Sequence, residues 1–385
     1  MQTEVVQEFG SYFVYEQLGV GGMATVHRAE TRGPDGRRKS IALKRLLPQA
    51  AAHPDTVRSF VDEGRLASSL HHANVAEAYD LGRVDDTYFI AMELVPGPTL
   101  AQIIRRCNEI GRPLPVAIAV RILIQICDAL DYTHNLRDEF GRPLNLVHRD
   151  VSPANVIVSN SGIVKLIDFG IAKPMLSSRT VTKAGSIKGK VGYIAPEYQR
   201  GKLDARADLF AVGVIAHELL TARKLFQVKD ELESLRRVRE LAVDPPSRLN
   251  PLVPADLDDI VMLGLSRNPA ERWQTASALR FALTNVARSC GPLPSTTDVA
   301  DWLDRLFTYV VAPLECGDSM AVEIIREPEP QLEPDPAAPL PAAMIATEIV
   351  RVPAPPARNR FALAMCILLV LAGAGAVAAQ LSGLV

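Results

Sequence analysis

The sequence predicts an α+β chain: a strand-rich segment, then a mainly helical one, then a tail of different composition. Three observations carry this expectation. Residues 12–95 alternate short runs of β-branched and aromatic residues with turns. From about residue 115 onward apolar residues recur at helical spacing. Beyond residue 320 prolines accumulate, and from residue 361 charge disappears altogether. At 385 residues the chain can hold one large two-part domain with appendages, or two smaller domains.

In chain order, β-like runs fall at Phe13-Val14-Tyr15, Thr25-Val26-His27-Arg28-Ala29, Ser40-Ile41-Ala42-Leu43-Lys44 and Thr87-Tyr88-Phe89-Ile90-Ala91-Met92. One helix interrupts them, expected over Asp55 to Leu70, with Val57, Phe60, Val61 and Leu66 on its apolar side. Longer helical patterns follow at Val116–His134, Ala207–Thr221 and Ala255–Ser266. Thr296–Phe307 reads as an amphipathic helix with Val299, Trp302, Leu303 and Leu306 on one face, expected to pack on the helical part. Residues 321–360 carry nine prolines among alanine and glutamate, too poor in core formers to fold, and read as an extended tether. No internal repeat is visible.

Phe361 to Ala379 is apolar or glycine throughout, and nineteen such residues reach roughly 28 Å as a helix, close to the hydrocarbon thickness of a bilayer. A single transmembrane helix is expected over 361–381. Arg351, Arg358 and Arg360 precede it, which places the N-terminal side in the cytoplasm. A buried core helix would need a large partner surface, which the proline-rich stretch does not offer. Ala372 to Ala376 are all alanine or glycine, compatible with close approach of two such helices and a homodimer. The start of the chain has no basic-then-apolar segment, so the bulk of it is expected in the cytoplasm. A formal net charge of −2 gives no argument for nucleic acid, and Arg37-Arg38-Lys39 reads as a solvated turn. The five cysteines show no CxxC spacing and read as reduced thiols, not as a disulfide frame or zinc site.

The chemistry concentrates in His148-Arg149-Asp150-Val151-Ser152-Pro153-Ala154-Asn155, followed after a short apolar hairpin by Asp168-Phe169-Gly170. An aspartate to accept a hydroxyl proton, with an asparagine and a second aspartate to bind metal, are the parts that phosphoryl transfer from ATP requires. On these residues the chain resembles a bacterial serine/threonine protein kinase of the Hanks type, over roughly residues 11–290. The resemblance implies a bilobal fold: a β-rich N-lobe over 11–95, a helical C-lobe over 96–290, and a helical extension over 291–320. It also implies MgATP and protein substrates and, with the tail, attachment to the inner membrane. Asp150 would be the base, and Asn155 and Asp168 would hold Mg²⁺. Leu18-Gly19-Val20-Gly21-Gly22-Met23-Ala24-Thr25-Val26 looks like the glycine-rich loop over the phosphates, with Ala24 in place of a third glycine. Lys44 would bind the α- and β-phosphates, oriented by Glu63. Met92-Glu93-Leu94-Val95 resembles the segment linking the lobes; the backbone of Glu93 and Val95 would meet the adenine edge, with Met92 behind it. Val26, Ala42 and Ile157 would sandwich the ring, a role compatible with their being ordinary core residues. His148 reads as structural. Ala195-Pro196-Glu197, Asp208 with Gly213, and Arg272 match the family's large-lobe framework, with Glu197 and Arg272 expected as a buried ion pair.

Two departures stand out. The family's lysine two residues after the catalytic aspartate is Ser152 here, and the threonine it normally meets in the substrate loop is Lys190. Lys190 is therefore expected to reach into the space of the missing lysine and restore its charge; the alternative is a solvated Lys190 and a slow enzyme. Residues 135–145 also lengthen the connection into the catalytic loop, with Gly141 and Pro143 suggesting a hairpin-like surface excursion. Arg149 is the family's usual receiver for an activation-loop phosphate, for which Thr182, Thr180 and Ser186 are the candidates. The rival readings are a nucleotide-binding pseudokinase acting as a membrane-anchored scaffold, for which Ser152 leaves room, and a plain membrane adaptor working through the tether.

Overall fold

The structure is a computed structural model, and it describes residues 7–32, 36–169, 190–200 and 203–308. Thr180, Thr182, Ser186, the proline-rich segment and the apolar tail lie outside the described residues. Among the described residues no helix is long and apolar enough to cross a membrane.

The small lobe is an antiparallel sheet of β1 (Gln7–Phe9), β2 (Tyr12–Val20), β3 (Ala24–Arg32), β4 (Arg38–Leu46), β5 (Ala78–Val84) and β6 (Thr87–Glu93), in the order β1-β2-β3-β4-β6-β5. Side chains alternate between faces along a strand, so β4 feeds two separate cores. Ile41 and Leu43 join Phe9, Tyr12, Val14, Ala29, Phe89 and Ala91 on one face. Leu46 joins Ala24, Phe60, Ala78 and Ile90 on the other. Lys44 has the parity of Leu46, and the helix that covers this second face supplies Phe60. Two helices sit there, α1 (Pro48–Ala51) and α2 (Pro54–Ala67). The stretch expected as helix to Leu70 stops at Ala67, where Ser68 folds its hydroxyl back onto the Gly64 carbonyl at 2.9 Å. Phe60, Glu63 and Gly64 form the buried stripe of α2 at i, i+3 and i+4. Gly64 is small because the sheet is near: a Cβ there would lie 2.7 Å from Leu81 and 3.1 Å from Ile90.

In the large lobe, α3 (Leu100–Glu109) starts at a capping box between Thr99 and Gln102. The next helix, α4 (Val116–His134), has the bounds its periodicity predicts and fills the core with Ile118, Ile122, Leu123, Ile126 and Leu130. The short hairpin of β7 (Val156–Val158) and β8 (Val164–Leu166) lies against it. Asn74 Nδ2 donates to Gln125 Oε1 and to the Val164 carbonyl, while Val164 N–H donates to Gln125 Oε1; two buried amides thus fix the hairpin's register. Beyond it come α5 (Arg206–Thr221), α6 (Glu231–Glu240), α7 (Ala255–Gly264), α8 (Ala276–Cys290) and α9 (Thr296–Thr308). Burial runs round the whole circumference of α5, and α5 meets α7 where Gly213 faces Gly264. Residues 135–145 do form a small hairpin, closed by an Arg137–Pro143 bridge and by Asp138, which accepts from the Phe140 and Arg142 backbones.

The amphipathic α9 buries Val299, Leu303 and Leu306 on the large lobe, with Trp302 partly buried beside them. Its Leu306 carbonyl accepts from Arg106 of α3 at 3.2 Å, and its Thr296 end sits on the β7–β8 turn at Gly162. Gly162 has φ +75°, and a Cβ there would fall 1.8 Å from the Thr296 carbonyl oxygen. Gly162→Ala is therefore expected to destabilise the domain by about 1–3 kcal/mol. Thermal unfolding measures the loss, and limited proteolysis should show α9 becoming cleavable first. A second expectation concerns pH. His148 and His217 are buried, and burial holds both imidazoles below their ordinary value. The unfolded chain then binds more protons than the folded one once pH falls under about 6.5. Stability is complete above that pH and declines below it, by up to about 1.4 kcal/mol per pH unit for each histidine. Urea unfolding between pH 8 and 5 reads the slope, and His217→Gln should flatten it.

Candidate active site

Strand parity and the α2 stripe bring Lys44 and Glu63 together between sheet and helix. Lys44 Nζ lies 2.6 Å from Glu63 Oε1 and 2.9 Å from Asp168 Oδ1, so one ammonium ties the sheet, α2 and the loop after β8. Lys44 is 7% exposed and Glu63 5%, and charges this deep survive only when paired and hydrogen-bonded. Burial alone would lower the lysine, but the Asp168 and Glu63 carboxylates overcome it and raise the ammonium above its ordinary value. Burial pushes Glu63 up, with Lys44 opposing. Burial also acts to raise Asp168, but Lys44 outweighs it and holds that carboxyl below the usual range.

The catalytic segment is held from beneath by Asp208 at the start of α5. Its carboxylate accepts from the His148 backbone at 2.8 Å and the Arg149 backbone at 2.9 Å, and it meets His134 Nε2 at 2.9 Å. Arg149 takes φ +65° and Asp168 φ +55°, conformations that non-glycine residues adopt only when their surroundings compel them. His148 accepts the Asp150 N–H on Nδ1 and packs its ring on Phe169, centroids 4.4 Å apart. The histidine thus braces the Asp150 backbone against the ring that follows Asp168, and it is fully buried. Pro153–Asn155 make a 3-10 turn, from which Asn155 Nδ2 donates to Asp150 Oδ2 at 2.8 Å and to the Asp150 carbonyl at 2.9 Å. Ile167 N–H donates to the Asn155 carbonyl, which fixes the spacing between Asn155 and Asp168.

Lys190 completes the group. It stands before the 3-10 turn Val191–Tyr193, and its Nζ lies 2.9 Å from Asp150 Oδ2 and 3.0 Å from Asn155 Oδ1. Ser152 is 1% exposed, and among the described residues its hydroxyl has no partner. Asn155 Oδ1 and the Asp168 carboxylate are hard oxygen donors on one side of the site, and each already holds an ammonium, Lys190 and Lys44 respectively. Their chemistry fits a magnesium ion.

On the nucleotide side, β2 and β3 are joined through Gly21 and Gly22, closed by a 2.8 Å bond from Gly21 N–H to the Ala24 carbonyl. A Cβ at Gly19 would meet nothing within 4 Å among the described residues. Leu18 and Val20 are exposed beside it. Ala42 pairs with Met92 across the sheet, Val26 pairs with Lys44, and Ile157 bridges to Thr99. The hinge carries more than its motif shows. Glu93 Oε2 accepts from Lys165 of β8 at 2.8 Å, and Glu93 N–H donates to the Glu77 carbonyl, so Val95 leaves the sheet from a fixed point.

The expected Glu197–Arg272 pair is bidentate at 2.8 and 3.1 Å and buried, with Arg272 also donating to the Ser266 and Arg206 carbonyls. Sequence reasoning missed His134, Glu218 and Lys224. Glu218 on α5 accepts from the Tyr193 hydroxyl at 2.7 Å and from Lys224 at 2.9 Å, which pins the turn that carries Lys190. A histidine and a glutamate, His217 and Glu218, ending the apolar run Leu209–Ala216 were the available signal.

The protein kinase domain family matches residues 12–282. The tyrosine-protein kinase MasK of Myxococcus xanthus (strain DK1622) is 38% identical over 281 residues, which are 72% of this chain and 43% of that protein. The serine/threonine-protein kinase PrkC of Bacillus subtilis (strain 168) is 36% identical over 270 residues, 69% of this chain and 39% of that one. A crystal structure of the Mycobacterium tuberculosis PknI kinase domain superposes with a TM-score of 0.54 at 29% identity, covering 73% of this chain and 98% of that chain. The chain spans about two fifths of the length of the curated relatives it matches. A β-rich lobe and a helical lobe joined by Lys44 and Asp168, with an aspartate–asparagine pair beside them, agree with that match among the described residues: the chain belongs to the protein kinase family.

Proposed function

We propose that the chain transfers the γ-phosphate of MgATP to serine and threonine hydroxyls of proteins, tethered to the cytoplasmic face of a membrane. The observation that carries the transfer is the assembled group of Lys44, Glu63 and Asp168 beside Asp150 and Asn155. Lys44 would hold the α- and β-phosphates, with Glu63 fixing its direction. The backbone of the Gly19–Gly22 loop would lie over the phosphates, and the Glu93 and Val95 backbone would take the adenine edge. Magnesium held by Asn155 and Asp168 would supply charge neutralisation at the phosphate oxygens. Asp150 accepts the hydroxyl proton as the new oxygen–phosphorus bond forms; the bond from phosphorus to the ADP oxygen breaks, and ADP keeps the electron pair. PrkC supports serine and threonine as acceptors by its name, whereas MasK is named a tyrosine kinase. The Gly192–Glu197 loop resembles the serine/threonine form. The tether rests on the uncharged stretch from Phe361. Arg149 would receive a phosphate carried by Thr182, Thr180 or Ser186, since a guanidinium pairs with a phosphate through two parallel hydrogen bonds.

The full chain incubated with labelled ATP and a generic protein should transfer phosphate, and Asp150→Asn should reduce the rate by about 10²–10⁴-fold. Peptide mapping of the same reaction should find phosphoserine or phosphothreonine, including within residues 171–189. Phosphotyrosine alone would replace the acceptor assignment, and binding of nucleotide without transfer would leave a scaffold. In cells the full chain should sediment with membranes and resist salt extraction, whereas a chain ended at residue 355 should be released.

A further inference from the structure

Between Asp150 and Asn155 the catalytic loop reads Val151-Ser152-Pro153-Ala154, which provides no charge. Asp150 and Asn155 nevertheless share a cation. Lys190 Nζ donates to Asp150 Oδ2 at 2.9 Å and to Asn155 Oδ1 at 3.0 Å, while Asn155 Nδ2 donates to the same Asp150 oxygen at 2.8 Å. The three groups form a closed ring around the carboxylate that would take the substrate's proton. An ammonium has three N–H donors, and these two contacts occupy two. The Lys190 side chain is 27% exposed, so it borders the open site and is not sealed into the core. Lys44 holds a different pair of acceptors, Glu63 and Asp168, so it leaves this side of the site without its charge.

Resting on the phosphotransfer reading above, we infer that Lys190 is a catalytic residue: its ammonium touches the phosphoryl group in transfer. The positive charge comes from the segment before the Val191–Tyr193 turn and not from the catalytic loop. The geometry follows from the position of the base. A base accepts a proton from a hydroxyl at about 3 Å, and that hydroxyl must stand about 3–3.5 Å from phosphorus. A cation bonded to the base's own carboxylate oxygen is then within one further contact of the phosphoryl oxygens, with a third N–H to offer them. Charge builds on those oxygens as the phosphoryl group moves, which is where a fixed cation acts most strongly. Asn155 is shared between this cation and the proposed metal site, so magnesium binding would shift Lys190 from Asn155 toward the phosphates without releasing it from Asp150. The turn that carries Lys190 is itself held, through Tyr193, by Glu218 and Lys224.

The test uses the full chain with Lys190→Thr, Lys190→Met, Ser152→Lys, and the exchange Ser152→Lys with Lys190→Thr. Three quantities are read: turnover, affinity for MgADP, and affinity for a magnesium complex of a non-hydrolysable ATP analogue. Both Lys190 variants should lower kcat by about 10²–10³-fold, the scale of losing one such stabiliser. They should weaken the triphosphate analogue while leaving ADP unchanged, because ADP lacks the group that Lys190 contacts. The exchange variant should regain at least about tenfold over Lys190→Thr, with the charge returned from the other side. Wild-type kcat in Lys190→Thr and Lys190→Met overturns the inference. So does an equal loss of ADP and triphosphate affinity, which marks a structural role, or an exchange variant that has wild-type unfolding and ADP affinity but no regained turnover. Failure of the kinase reading is separate: it appears as a wild-type chain that transfers nothing, and the difference between the two nucleotides still decides what Lys190 touches.

Discussion

A single ammonium shared by two carboxylates from different parts of the chain organises this molecule. Lys44 comes from the middle of the sheet, Glu63 from the helix that covers it, and Asp168 from the loop after a hairpin in the other lobe. Removing one carboxylate leaves the ammonium to the other, and only the loss of both would strand a buried charge. The pairing is therefore an alignment device as well as a binding group. When sheet, helix and lower loop are in register, the lysine proposed to hold the phosphates and the proposed metal ligand are in place together. The rest of the site is organised by acceptance. Asp208 gathers the His148 and Arg149 amides and His134, and the strained backbone at Arg149 persists because that carboxylate holds both ends of the bend.

Much of this was legible in the sequence, for reasons that differ by element. Elements with long apolar runs, such as β4 and α4, stood at their predicted places because those runs must leave water, β4 on both of its faces and α4 round most of its circumference. The site residues were legible because their order and spacing are constrained by chemistry. The illegible parts depend on contacts between distant segments. The edge strands β1 and β5 have weak patterns of their own and are stabilised by pairing with β2 and β6. The charged α6 has too few apolar residues to announce itself; Ser234, Leu235 and Val238 are its buried positions. Glu93 was legible as a hinge backbone but not as the partner of Lys165, because nothing in either segment names the other. Lys190 lay between these cases. Its residue type was conspicuous, and its contacts with Asp150 and Asn155 came only with the fold.

The distribution of charge in the site follows from these placements. Lys44 and Lys190 approach from opposite sides, one from the sheet and one from the substrate loop, and each sits on an oxygen that a divalent cation would also want. The acids number three, Glu63, Asp150 and Asp168, so the group is close to neutral before nucleotide arrives. A triphosphate entering with magnesium brings its own balance of charge. The side chains then need only exchange partners, an arrangement that keeps reorganisation small and suits catalysis by fixed charges.

Gly64 gives the site an unusual kind of vulnerability. It bears no charge and no hydrogen-bonding side chain, and it stands one residue from Glu63 on the face of α2 that lies against Leu81 and Ile90. The clearance there is less than a methyl group. A side chain at 64 would press on the Leu81 and Ile90 side chains, and any movement of the helix that relieved it would carry Glu63 away from Lys44. The tolerance of an ionic assembly is written in the steric allowance of its least polar neighbour.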